Sequence, residues 1–347
     1  MPKLTIPDVL ARVGALDSRH YDIGGQTVAE GLRGLCAEHP QLLPHFFHDN
    51  GQIKEHFLLV VDGALVESDA VLRDASEVEV LLAASGGCDL SGLPALSERD
   101  RVRYARHIVL PQIGEQGQQK LKAARVLVVG TGGLGSPISM YLAAAGVGSI
   151  GLIDFDVVDQ SNLQRQIVHG MPTVGSPKVL SAKRRLHEIN DQVHLATWHA
   201  KLNEDNANEV IAQYDVVVDG CDNYATRYLI NRVARNHGVP YVYGSIFQFD
   251  GQVSVFLPER GPCYQCLHPA APPPSIAPNA NNNGVFGVLP GVIGLLEATE
   301  SLKIILGIGE LLNGRLLTYD ALSMRFRELA FNARRGCRTC GQREPGQ

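Results

Sequence analysis

Apolar positions along the chain alternate between short β-branched clusters and stretches spaced at three and four residues. Segments 3–13 and 57–61 read as strands, while Val28, Leu32 and Leu35 repeat at helical spacing across 28–38. A further apolar run at 78–82 closes this region, and Asp62-Gly63 between apolar flanks predicts a tight turn. Strands around one helix in so short a span predict a compact α+β domain. Further along, the pattern becomes strand, loop and helix in succession. Val126, Leu127, Val128 and Val129 suit a strand buried on both faces of a parallel sheet, 137–145 reads as helix, and 149–153 and 214–219 read as further strands. The second region is therefore predicted to be α/β.

Between the first of those strands and its helix stands GTGGLG, with Gly130, Gly132, Gly133 and Gly135. Glycines there let the backbone turn sharply and approach a ligand, and the amides of the following helix can face phosphate. Asp154 ends the next apolar strand, 24 positions after Gly130, where an acidic residue commonly binds a ribose hydroxyl. An NAD-dependent dehydrogenase fits up to this point. Asn162, Gln164, Arg165 and Lys178 then shift the balance, because cations stabilise charge on a triphosphate whereas hydride transfer has no comparable need. Asp222-Asn223 follows the strand at 214–219, at the edge where ligands bind in open α/β sheets. A carboxylate there can hold Mg²⁺, with a loop-capping Asp as the competing explanation.

Composition narrows the class further. The 347 residues are 45% hydrophobic, enough for one large domain plus a small one. A net charge of −5 favours neither a nucleic acid nor a membrane surface as partner, and the N-terminus shows no secretory pattern, so a cytoplasmic location is expected. Four of the seven cysteines form the pairs Cys263/Cys266 and Cys337/Cys340. Such hooks can each supply two thiolates to a closed, structural Zn²⁺ site; a redox-active pair is the rival, but normally needs one hook in a different context. Ser97 is a helix N-cap candidate with Glu98 and Asp100 in the first turn, and Arg103 and Arg106 share a face that reads as solvated or salt-bridged surface.

EVEVLLAASGG, residues 77–87, is a strand leading into a small-residue tail that ends in Gly86-Gly87. Together with VVDGALV at 60–66 it resembles the ubiquitin-like sulfur carriers of the MoaD, ThiS and CysO type. The resemblance implies a β-grasp domain over 1–87, whose paired glycines would thread into an activating enzyme. Cys88 follows directly, so Gly87 has a free carboxylate only if a protease cuts there. The competing reading makes Gly86-Gly87 the start of a flexible linker, 88–98, ahead of a second domain over 99–347.

RYARH, GTGGLG, DFDVVDQSNLQRQ, GSPK and DGCDN, in that order, resemble the MoeB/ThiF family, bacterial relatives of ubiquitin-activating enzymes. The resemblance implies a Rossmann-like nucleotide-binding domain with a zinc-bound C-terminal part, and it assigns roles residue by residue. The loop glycines cradle ATP, Asp154 binds the ribose, and Ser161, Asn162, Leu163, Gln164 and Arg165 surround the nucleotide and its phosphates. Lys178 neutralises the transferring region, while Asp222 and Asn223 position Mg²⁺ and nucleotide. Arg106 corresponds to an arginine inserted into the partner subunit's site, which replaces the surface reading and implies a homodimer. The resemblance also brings the two cysteine hooks together.

The proline-rich stretch 269–278 is expected to be an extended loop. Relatives of this type often carry a reactive cysteine on the crossing segment, and no cysteine lies between Cys266 and Cys337; Ala280 and the run Asn281, Asn282 and Asn283 stand near that place. The implied activity is ATP-dependent adenylylation of the C-terminal glycine of a ubiquitin-like sulfur carrier, either a separate protein or this chain's own N-terminal domain after cleavage. A sulfur donor protein would act next. Molybdopterin, thiamin and cysteine synthesis all draw on this chemistry. The alternatives are adenylation of a peptide or small carboxylic acid, and a noncatalytic scaffold.

Overall fold

A computed structural model describes residues 1–7, 10–11, 16, 18–48, 51–54, 57–82, 93–272 and 284–341. The chain divides into two compact units, Met1–Leu90 and Ser91–Gln347. In the first, strands β1 (Lys3–Thr5), β2 (His20–Asp22), β3 (Phe57–Val61), β4 (Ala64–Val66) and β5 (Glu77–Leu82) form one sheet in the order β2-β1-β5-β3-β4. The central pair β1 and β5 is parallel, and each outer pairing is antiparallel. This unit also contains helices α1 (Val28–Glu38) and α2 (Leu43–Phe46), joined by a 3₁₀ turn at Pro40–Leu42. Val78 and Val80 are buried while Glu77 and Glu79 are exposed, the period-two pattern of a sheet covered on one face. Their buried side joins Leu4, Val28, Leu32, Leu35 and Phe46 in one core.

Local chemistry sets these boundaries. Thr27 caps α1 by accepting from the Glu30 N–H, and Glu30 accepts in return from the Gln26 N–H at 2.7 Å. Asp62 and Gly63 both have positive φ, as the two-residue turn between β3 and β4 requires. The strand expected over 3–13 stops at Thr5: Pro7 cannot donate to a ladder, and Leu10 and Ala11 turn back to hydrogen-bond its carbonyl. The Gly86-Gly87 tail and linker residues 88–92 lie outside the described residues.

The second unit begins with α3 (Glu98–Arg103), capped by a reciprocal Ser97–Asp100 box, and α4 (Ala105–Ile108). The order continues α5 (Gly114–Ala123), β6 (Arg125–Val129), α6 (Gly135–Ala145), β7 (Ser149–Ile153), α7 (Lys178–Ile189), β8 (His194–Trp198), α8 (Ala207–Ile211), β9 (Val216–Asp219) and α9 (Tyr224–Asn236). Strands β10 (Tyr241–Phe247) and β11 (Asp250–Phe256), helices α10 (Tyr264–Leu267) and α11 (Leu289–Leu306), and strands β12 (Arg315–Asp320) and β13 (Arg325–Ala330) complete it. The sheet runs β13-β12-β11-β10-β9-β6-β7-β8, parallel from β10 to β8 and antiparallel from β10 to β13. Successive strands diverge from β6, first to β7 and β8, then back to β9 and β10, so a crevice opens beyond the carboxyl ends of β6 and β9. Val126 and Val128 face the core beneath α6, α7 and α11, whereas Leu127 and Val129 face that beneath α8 and α9. Among the described residues no helix is long and apolar enough to cross a membrane.

Glu297, on α11, sits against Gly244 of β10, where a Cβ would come within 2.2 Å of its carboxyl. It is fully buried, and neither carboxyl oxygen has a hydrogen-bond partner among the described residues. Burial pushes its pKa well above the usual range, Asp219 adds to the rise, and Arg227 opposes it. The folded chain thus keeps a proton that the unfolded chain releases, so this group's contribution to stability falls as pH rises above the ordinary glutamate value, about 4.3. Glu297→Gln is expected to flatten the decline in urea-unfolding free energy between pH 5 and 8 and to be more stable than wild type at pH 8 by about 1 kcal/mol or more. Equal slopes for the two proteins would mean that Glu297 is ionised in the fold.

Candidate active site

The glycine loop is shaped by backbone crowding. Gly130 has φ 90°, and a Cβ at Gly135 would lie 1.9 Å from the Gly130 carbonyl oxygen. From the opposite side, a Cβ at Gly220, just past β9, would lie 2.4 Å from the same oxygen. The loop after β6 and the turn after β9 therefore touch, backbone to backbone, and α6 starts there with its positive end at the crevice. Beyond this contact opens a cavity of about 580 Å³. Gly130, Gly132, Gly133, Asp154 and Arg165 line it from one side of the switch point, and Lys178, Asp222 and Asn223 also reach it. Gly135 stands behind the loop, setting its shape.

Asp154 is nine-tenths buried and held from two directions. Its Oδ2 accepts from the Thr131 N–H at 2.8 Å and the Thr131 hydroxyl at 3.1 Å, and its Oδ1 accepts from the Asp156 N–H at 2.9 Å. The carboxylate is thereby set in one orientation at the cavity wall. Lys178, the first residue of α7, is buried and donates to Asp156 Oδ2 at 2.8 Å. Asp156 is a site residue that the motif reading passed over. Its signal was the alternation in Asp154-Phe155-Asp156, which in extended chain turns both carboxylates to one side.

The 161–165 segment divides its labour. Arg165 lines the cavity; Ser161, Asn162, Leu163 and Gln164 are not among the lining residues. Ser161 hydrogen-bonds to Asp159, closing a short 3₁₀ turn, and Asn162 Oδ1 accepts from Arg165 Nη2 at 3.2 Å and from Gln166 Nε2 at 2.9 Å. These residues aim the arginine. Arg106 lies exposed on α4, outside the cavity lining of its own chain, and Arg103 is tied to the Ile189 carbonyl at 3.0 Å. The two arginines sit on separate short helices that break at Tyr104, instead of on one helical face.

Asn223 caps α9, its side-chain oxygen accepting from the Thr226 N–H at 2.9 Å, which leaves Asp222 as the exposed carboxylate of this loop. Beneath it lies a buried ion pair that sequence spacing did not reveal. Asp219 accepts from Arg227 Nε at 3.1 Å, the Tyr241 hydroxyl at 2.8 Å and the Cys221 N–H at 2.9 Å. Arg227 also donates to the carbonyls of Cys221 and Gly244, and its guanidinium lies over the Tyr243 ring. With its charge and hydrogen bonds answered, this pair fixes the loop that carries Asp222. Cys221 lines the same cavity, yet burial, aided by Asp219, raises its thiol well above the usual range, so it is not a thiolate at neutral pH.

Away from the cavity, Cys263, Cys266, Cys337 and Cys340 converge with all four sulfurs within 4.8 Å of one another. The sulfurs of Cys263 and Cys337 are 3.7 Å apart, and those of Cys266 and Cys340 3.2 Å, too far for disulfides and suited to four ligands around one soft metal ion. The cluster can therefore hold a metal ion. The loop positions Ala280 to Asn283 lie outside the described residues.

Comparison with known proteins agrees with this geometry. The ThiF family model matches residues 104–339. A sulfur carrier protein adenylyltransferase of Thermus thermophilus is 49% identical over 250 residues, covering 71% of this chain and 92% of that protein. The SAMP-activating enzyme E1 of Haloferax volcanii is 47% identical over 240 residues, 69% of this chain and 88% of that protein. Among solved structures, Escherichia coli MccB aligns with a TM-score of 0.62 at 22% identity over 71% of this chain and 75% of that one, a likeness of fold.

The backbone contact beneath the loop yields a paired expectation. Gly135→Ala forces its methyl into the Gly130 carbonyl and is expected to destabilise the protein by about 3 kcal/mol in urea unfolding. Gly132→Ala meets only the Gln166 side chain, at 3.5 Å, and is expected to cost less than about 1 kcal/mol. Equal losses at the two positions would contradict the crowding described.

Proposed function

The chain belongs to the ThiF family, and from that premise we propose that it is an ATP-dependent adenylyltransferase acting on the C-terminal glycine of a ubiquitin-like sulfur carrier. The observation that carries the reading is the convergence of the glycine loop, Asp154, Arg165, Lys178 and Asp222 on one cavity at the switch point. In the reaction a carboxylate oxygen of the terminal glycine forms a bond to the α-phosphorus of ATP. The bond from that phosphorus to the bridging oxygen breaks, and its electron pair leaves with pyrophosphate. Arg165 and Lys178 stabilise charge gathering on the phosphates, and Asp154 holds the ribose, so the residues act by positioning and electrostatics. No protein nucleophile takes part, which suits the high pKa of Cys221.

Two metals fit the residues present. The exposed Asp222 carboxylate suits a Mg²⁺ that keeps most of its waters and neutralises phosphate charge when bound. The four-cysteine cluster suits a structural Zn²⁺ with no open coordination position. Arg106, exposed and outside its own cavity, is assigned to the site of a second copy in a homodimer. We further read residues 1–87 as a sulfur-carrier-like domain and 99–347 as the adenylyltransferase domain. The sheet order β2-β1-β5-β3-β4, with its parallel central pair, supports a ubiquitin-like β-grasp. The carrier acted upon is a separate protein, or this domain once a protease has cut after Gly87, with a sulfur donor protein acting next in the cytoplasm.

ATP–pyrophosphate exchange tests the activity. A carrier ending in Gly-Gly is expected to support exchange; exchange with only a peptide or small acid would assign a different substrate, and none at all would make the chain a scaffold. Lys178→Ala is expected to lower exchange by about 100-fold or more. If Arg106 acts across a dimer, Arg106→Ala and Lys178→Ala chains are inactive alone, and mixing them restores about a quarter of wild-type activity, because mixed dimers keep one complete site. No recovery on mixing would place Arg106 elsewhere. Metal analysis of the reduced protein is expected to find one zinc per chain, and Cys340→Ser should lose it and unfold at least about 4 °C lower.

A further inference from the structure

His169 is nine-tenths buried, is absent from the cavity lining, and has no role in the chemistry proposed above. Its Nε2 lies 2.9 Å from the Thr131 carbonyl oxygen and its Nδ1 lies 2.9 Å from Ser181 Oγ. A carbonyl only accepts, so Nε2 carries the proton and donates. Nδ1 of the neutral ring then accepts from the Ser181 hydroxyl. Ser181 Oγ also donates toward Thr173 Oγ1 at 2.8 Å, and the Thr173 hydroxyl donates to the Gly170 carbonyl at 2.9 Å, so the single Ser181 proton is shared between Nδ1 and Thr173. Burial is the main cause that disfavours a second proton on the ring; the Thr131 carbonyl opposes it, Lys178 adds to it, and Asp154 opposes it least.

The partners of this ring lead to two residues of the cavity wall, Asp154 and Lys178. Thr131 is the residue whose N–H and hydroxyl orient Asp154. Ser181 lies three residues after Lys178 on α7, on the same helical face. One imidazole therefore ties the loop after β6, and through it the ribose carboxylate, to the helix that carries the phosphate lysine.

We propose that His169 is a positioning residue for ATP: by clamping the Thr131 carbonyl to α7 through Ser181, it sets the spacing between Asp154 and Lys178. The inference rests on the nucleotide reading of the cavity. It predicts an effect on nucleotide affinity larger than that on the chemical step, because the ring touches neither substrate nor phosphates. Leucine at this position fills much of the space but removes the donor. Glutamine can return an N–H near the Nε2 position.

Calorimetric titration of the full-length protein with ATP and Mg²⁺ tests this, alongside thermal midpoints without nucleotide. His169→Leu is expected to weaken ATP binding by about tenfold or more and to raise the KM for ATP in exchange with kcat changed far less. His169→Gln is expected to recover most of the affinity. If His169→Leu does not fold, Ser181→Ala decides: it removes the donor to Nδ1 and is expected to weaken ATP binding about threefold. Wild-type affinity in whichever of these two variants is folded would overturn the inference, as would a glutamine variant no better than leucine at equal thermal midpoint. Failure of the wild-type protein to bind ATP would instead overturn the nucleotide reading.

Discussion

The carbonyl oxygen of Gly130 is crowded from two sides, by Gly135 at the start of α6 and by Gly220 after β9. That contact is possible only where side chains are missing, and it draws the ends of β6 and β9 together at the place where the strand order reverses. A parallel sheet exposes its carboxyl ends as a row of loops, and only at such a reversal do neighbouring loops part to leave a crevice. Here the same backbone contact that closes the floor of the crevice also sets the start of a helix whose positive end favours phosphate. The cavity and the fold are thus held by one constraint.

Charge is distributed around that floor in layers. Asp219 and Arg227 are buried and answer one another, with Tyr241, Tyr243 and backbone carbonyls completing their contacts. Above them Asp222 stays exposed, and across the cavity Lys178 is paired with Asp156. Lys178 is itself buried and already held by that carboxylate. The buried pair gives this floor its rigidity, and Asp222 is the carboxylate it leaves exposed.

The N-terminal unit follows different physics. In its small sheet, β5 alternates charged exposed residues with apolar buried ones, as Glu77 to Val80 show. The larger unit has strands such as β6 buried on both faces, so its sequence runs apolar without alternation. The burial of single strands is thus written into their local pattern.

Much of the fold was legible for that reason. Helix α1, the turn at Asp62-Gly63, strand β7 and the helix after the glycine loop follow from local periodicity and turn chemistry, which act over a few residues. Local rules failed where a competing local signal intervened, as at Pro7, or where one helix became two at Tyr104. The glycine loop, Asp154, Arg165, Lys178, Asp222 and the four cysteines were recognisable as motif residues, because their chemistry depends on residue type and short spacing. Sequence alone thus marked the motif residues and a strand at 126–129 buried on both faces. Only the tertiary structure decided that Ser161 and Asn162 support Arg165 from outside the cavity, that Asp156 holds Lys178, that Arg227, paired with Asp219, reaches the cavity wall, and that Glu297 and His169 lie behind it. Those relations join segments far apart in the chain, and no local pattern records which buried polar groups will meet once the sheet has closed over them.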